Sequence, residues 1–171
     1  MVCSSAEAPT SDHCSMSLIR NNQQLVLNEL YRQLNASTEV MRELIEFFQQ
    51  PGQQVETTQR GIQQAFADVL DAREPLLAPL EALIRKLDDL PRASDPEQSG
   101  LEALTERLRS LLSQEGIEAV LEHRLEQEQV LLNTTRQAQQ EFQDEAMPSA
   151  LERLEQHLQR AIERLKTCVQ S

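Results

Sequence analysis

From Leu27 to Phe48 apolar residues return every three or four positions: Leu27, Leu30, Leu34, Met41, Leu44 and Phe48, with Tyr31 and Ile45 beside them. That spacing lines one side of a helix. Ser37 and Thr38 interrupt the stripe once. The pattern predicts a helix from Ser15 or Ser17 to Gln50, ended by Pro51, which cannot extend it, and Gly52, which can turn the chain.

The next stripe is the most regular. Ile62, Phe66, Val69, Arg73, Leu76, Leu80, Leu83, Leu87 and Leu90 alternate by four and three, and Arg73 is its only polar member. Pro75 and Pro79 sit inside it. Two separate helices have no reason to keep one phase across a break, so the phase predicts a single rod. An interior proline costs roughly 3 kcal/mol in an ordinary helix, which predicts a kink near residues 71–75. Such a kink wraps the helix around a bundle; a hinge or docking notch is the sharper alternative.

"PRASDPEQSG", residues 91–100, reads as a linker. Ser99 and Glu102 have the spacing of a capping box, as do Ser149 and Glu152. After the first, Leu101, Leu104, Leu108 and Leu111 form a stripe whose phase fails at Glu115. Apolar positions resume at Ile117, Val120, Leu121 and Leu125 and continue through Leu132 to Phe142. Gly116, at the slip, reads either as a helix end or as a stutter within one helix. Met147-Pro148 stops this element. The last helix carries Leu151, Leu154, Leu158, Ala161, Leu165 and Cys168 in step.

The faces are broader than a two-stranded seam, because Val26, Phe47, Leu112, Leu131, Ile162 and Val169 add to them. Each helix must therefore pack against at least two others. The expected fold is all-α: an elongated antiparallel helical bundle of four to five segments with coiled-coil-like packing. Residues 1–14 form a flexible tail and 15–171 one domain, with a hairpin at 15–90, the linker at 91–100 and helices over 101–169. A hairpin centred near Gly52 sets Ser37 opposite Phe66 and Arg73 opposite Tyr31.

Composition narrows the function classes. Apolar residues make up 39% and aromatics 3%, so the core is aliphatic. The net charge is −12, and the lysines are Lys86 and Lys166 alone. Nucleic acid needs a basic footprint, which this chain lacks. The N-terminal "MVCSSAEAPTSDHCSM" carries no basic region followed by an apolar run, and no apolar window reaches a membrane span. Together with an odd number of cysteines (Cys3, Cys14 and Cys168), this predicts an intracellular, cytoplasmic chain, with a nuclear location also compatible.

Catalytic and metal patterns are missing. The Glu-x-x-His pair of a di-iron bundle is absent, since Val120 and Leu154 stand three residues before His123 and His157. Cys3, His13 and Cys14 are too loosely spaced to read as a metal site. His123 and His157 lie among Glu, Arg and Gln and read as surface residues. No cofactor, metal or catalytic residue is assigned. The reading is a non-enzymatic interaction or scaffold subunit of a larger assembly, joined to other helical chains or to a second copy. Candidate contact residues are Val26, Phe47, Arg73, Leu77, Ile162 and Val169. A small acidic adaptor or export-type chaperone that holds a client helix is the alternative. A reversible lipid-surface binder is a third reading, disfavoured by the scarcity of lysine.

Overall fold

The computed structural model describes residues 20–50, 57–93, 101–114 and 116–170. The stripes fold as five helices: α1 (Asn22–Phe48), α2 (Thr57–Lys86), α3 (Leu101–Gln114), α4 (Ile117–Gln140) and α5 (Ser149–Val169). No strand occurs among the described residues. The tail with Cys3, His13 and Cys14, the turn at Pro51 and Gly52, and Ser99 with most of the linker fall outside them.

α1 starts later than Ser15 or Ser17, because Asn21 supplies a reciprocal cap. Its Oδ1 accepts from the Gln24 amide at 2.8 Å, and its own amide donates to Gln24 Oε1 at 2.9 Å. Two backbone donors that the helix leaves open are thereby satisfied. α2 runs unbroken through Pro75 and Pro79 over 30 residues, roughly 45 Å at the helical rise. It stops earlier than its stripe suggested. Asp88 adopts φ 57°, and the Asp89 amide reaches back to the Ile84 carbonyl at 3.3 Å, closing the helix as a left-handed cap does. Leu90, counted in the stripe, is therefore outside the helix and 67% exposed. The buried line also rolls off a strict heptad, from Leu76 and Leu80 to Ile84 rather than Leu83, as a straight 3.6-residue helix requires.

Gly116 separates α3 from α4 at φ 90° and ψ −178°, a region essentially reserved for glycine. This settles the slip as a break. The Ser149 capping box does not form: Pro148 occupies the cap position and its carbonyl accepts from the amides of Leu151 and Glu152.

The buried residues divide into two clusters. The upper one joins Val40–Phe48, Ile62–Leu70, Leu108, Ile117–Leu121, Ala161 and Leu165. The lower joins Leu27–Leu34, Leu76–Ile84, Leu131–Phe142, Leu151–Leu158 and Ile162. α1 and α5 thus run upward, α2 and α4 downward. Packing closes a ring in the order α1, α2, α5, α4, so every ring neighbour is antiparallel. α2 and α4, at opposite corners, run the same way. The chain must cross from bottom to top between them, and α3, lying on α1 and α4, completes that crossover. At the foot, Asp89 ties the start of the crossover to Arg20 (3.0 Å), just before α1, and to Asn28 in α1 (2.6 Å).

Candidate functional site

Between the two apolar clusters all four ring helices contribute polar side chains to one layer. Ser37 comes from α1, Arg73 from α2, Arg124 and Glu128 from α4, and His157 from α5. All are buried, Arg73 and Glu128 completely. Arg73 uses all three guanidinium nitrogens. Nε donates to His157 Nε2 at 3.2 Å, Nη1 to Ser37 Oγ at 2.8 Å, and Nη2 to Glu128 Oε2. Arg124 Nη2 donates to Ser37 Oγ at 2.5 Å and to Glu128 Oε1 at 3.1 Å, while its Nε is buried without a partner.

Two guanidinium groups face one carboxylate. Burial pushes the Glu128 carboxyl upward more than any other single influence, but Arg73 and Arg124 together outweigh it and hold the group below its ordinary value. Burial pulls Arg124 below its ordinary range, with Glu128 opposing and Arg73 adding. His157 drops to about 4, again first through burial and then through the neighbouring Arg73 cation. Its Nε2 accepts from Arg73, so the neutral ring carries its proton on Nδ1. Both Glu128 oxygens and every Arg73 nitrogen are engaged within the layer, while Arg124 Nε is left without a partner.

This layer corrects three expectations. Arg73 meets Ser37, six residues and roughly 9 Å along α1 from Tyr31. A buried guanidinium must find acceptors, and Ser37 and Glu128 offer them where a ring does not. Tyr31 instead donates to Glu81 at 2.5 Å, and burial, seconded by that carboxylate, raises its phenol to about 12. His157 is not a surface residue, being 8% exposed. His123 is half-buried; burial first, then Arg124 and Arg107, lower its pKa.

Outside the layer, α2 and α5 leave an open groove of about 370 Å³. Val69, Ala72 and Leu76 form its α2 wall and Ala161 part of the opposite wall. Arg153, Arg160 and Arg164 stand along the α5 side, and His157 links the groove to the buried layer. Arg164 pairs with Asp68 at 3.1 Å across the groove. Arg153 and Arg160 are exposed and make no ion pair with a described residue.

The residues expected to mark a contact surface are dispersed. Val26 and Leu77 are half-buried against the lower cluster, and Phe47 is half-buried against the upper, edge-on to Phe48 at 6.2 Å. Val169 is exposed near the end of α5. Arg73 and Ile162 lie inside, at 0% and 7% exposure, and cannot meet another chain unless the bundle opens. Sequence reasoning missed Arg124, Glu128 and His157. The signal was present in α4, where Val120, Arg124, Glu128, Leu131, Thr135, Ala138 and Phe142 keep a helical beat once polar residues are counted.

Among the described residues no cluster of three His, Cys, Asp or Glu side chains could hold a metal, and no helix is long and apolar enough to cross a membrane. Comparison with protein-family models, with curated proteins and with solved structures finds no match to this chain.

Proposed function

We propose that this chain is a non-enzymatic interaction subunit that joins a larger protein assembly by helix–helix packing, through other helical chains or a second copy. The carrying observation is the mutual pairing of the buried charges: Glu128 accepts from Arg73 on one oxygen and from Arg124 on the other. The layer's three charged groups bind one another, which is how structural charges behave; His157 is its member that reaches the groove, and its Nε2 is taken up by Arg73. Apolar side chains meanwhile stay outside, among them Leu25 (51%), Val130 (48%) and Val169 (49%). Leu25 and Val26 border a second groove, between α1 and α4, which Thr134 and Glu141 also line.

Native extract tests the proposal. On gel filtration the chain should run well above its own 19.5 kDa, and cross-linking should fix it to one helical neighbour in constant ratio. Elution as a free monomer from extract and from the purified protein alike would refute it.

A further inference from the structure

We propose that the α2–α5 groove docks an acidic amphipathic helix of about three turns from a partner protein; this rests on the interaction reading above. The argument starts with charge. The chain as a whole carries −12, yet the groove sets Arg153, Arg160 and Arg164 against the single carboxylate of Asp68. Two of those arginines have no counter-ion among the described residues, and the third already shares Asp68, which also accepts from Gln64 at 2.8 Å. An acidic partner is repelled by most of this acidic chain and attracted by the arginines here.

Shape selects the class of acidic partner. The α2 wall is apolar, through Val69, Ala72 and Leu76, with Ala161 opposite, and Gln156 and His157 add polar atoms on the α5 side. Ala72 and Ala161 are short, so they open a notch that another helix's side chains can enter. Arg153 and Arg164 lie eleven residues apart on α5, roughly 16 Å at the helical rise, which is three turns. A small inorganic anion would use only the rim and leave this apolar wall wet. An extended segment would need a sheet edge for its backbone amides, whereas a helix satisfies its own. The occupant therefore carries aliphatic residues at i, i+3 or i+4, and i+7, flanked by carboxylates that meet Arg153 and Arg160 bidentately.

The test uses the full chain and two stapled fourteen-residue helices of identical aliphatic stripe, one flanked by glutamate and one by lysine. Fluorescence anisotropy should show the glutamate helix binding the natural chain. Arg153→Glu/Arg160→Glu should weaken it tenfold or more and admit the lysine helix instead. Both substitutions fall on exposed, unpaired side chains, and the circular-dichroism melt should stay in place. Ala72→Trp, which fills the notch, should block both peptides. No binding of the glutamate helix overturns the proposal, as does binding that survives either variant or full displacement by millimolar inorganic phosphate. If the double variant dissolves a self-dimer, or leaves the mass of the assembly in extract unchanged, this occupant is wrong while the interaction reading stands. If the natural chain runs as a free monomer, the interaction reading falls first.

Discussion

Glu128→Gln changes almost nothing in volume and removes the one negative charge that two buried guanidinium groups share. The natural carboxylate accepts from Arg73 on Oε2 and from Arg124 on Oε1, with no exposure to water. The amide keeps one acceptor for Arg73, but its NH2 then points a donor at another donor, Nη2 of Arg124. Two cations are left in a medium that screens them poorly. Breaking a buried ion pair from one side costs about 3–5 kcal/mol, against a total stability of about 5–15 kcal/mol for a typical domain. With a urea slope near 2 kcal/mol per M, the unfolding midpoint should drop by roughly 2 M. Far-UV circular dichroism at pH 7.5 reads this directly. The second arm removes the surplus cation. Arg124→Met takes out the guanidinium whose Nε has no partner and leaves Arg73 and Glu128 as a matched pair. It should cost less than about 1 kcal/mol, or stabilise, because well-packed apolar replacements of buried charges often do. In the double variant it should return part of the Glu128→Gln loss, a coupling that a two-mutant cycle isolates. A Glu128→Gln cost under about 1 kcal/mol, or an Arg124→Met cost equal to that of Arg73→Met, would refute this account of the layer.

Acid should act through His157. Its folded pKa of about 4 lies below the usual histidine value, so the unfolded chain binds the proton first and stability is lost as pH falls from about 6.5 to about 4. The stability difference between the natural chain and His157→Gln should shrink by up to about 3 kcal/mol across that window; carboxylate losses common to both chains cancel, and a flat difference would contradict the burial. Gly116→Ala forces a β-carbon into a glycine region and should cost about 1–3 kcal/mol in thermal or urea unfolding, with Glu118 giving way at 3.1 Å. Tyr31 is the only tyrosine and tryptophan is absent, so absorbance near 295 nm follows one phenol. Its midpoint should sit near 12, with stability falling as pH climbs from about 10 towards 12; a midpoint at 10 would mean that the ring is neither buried nor held by Glu81.

The helices were legible because their signals are redundant: Leu27 to Phe48 or Leu151 to Leu165 name their faces several times over. Continuity through Pro75 and Pro79 was legible for the same reason. Boundaries depended on single side chains. Asn21 and Asp88 are ordinary residues in sequence, and only their hydrogen bonds and backbone angles make them caps. The site was half-written. Ser37 and Arg73 stood out as the polar breaks in two neighbouring stripes, and matching them to each other would have set the register. Assuming a symmetric turn at Gly52 sent each to an apolar partner instead. Arg124 and Glu128 were lost because a search for leucines skips the polar members of a stripe, and His157 because composition around a residue says little about which side of a helix it faces.

The position of the layer matches what aliphatic seams lack. Leucine against leucine is nearly indifferent to sliding by a heptad, since each knob finds an equivalent hole. This chain has two such aliphatic clusters, one above the other, and a crossover between α2 and α4 long enough to permit other alignments. The polar layer is not indifferent. It takes a hydroxyl from α1, a cation from α2, a cation and an anion from α4 and an imidazole from α5, so moving α2 or α4 by a turn strands at least one charge in the aliphatic core, and moving α1 or α5 takes an acceptor away from Arg73. That penalty, several kcal/mol per stranded ion, falls on a bundle with α2 or α4 misaligned and is smaller in the native one, where Glu128 holds both guanidinium groups. A layer of this kind fixes α2 against α5, and with them the spacing of Ala72 from Ala161 and of both from the arginines along α5. Buried charges that touch no ligand can in this way set the geometry of the groove proposed to receive a partner helix.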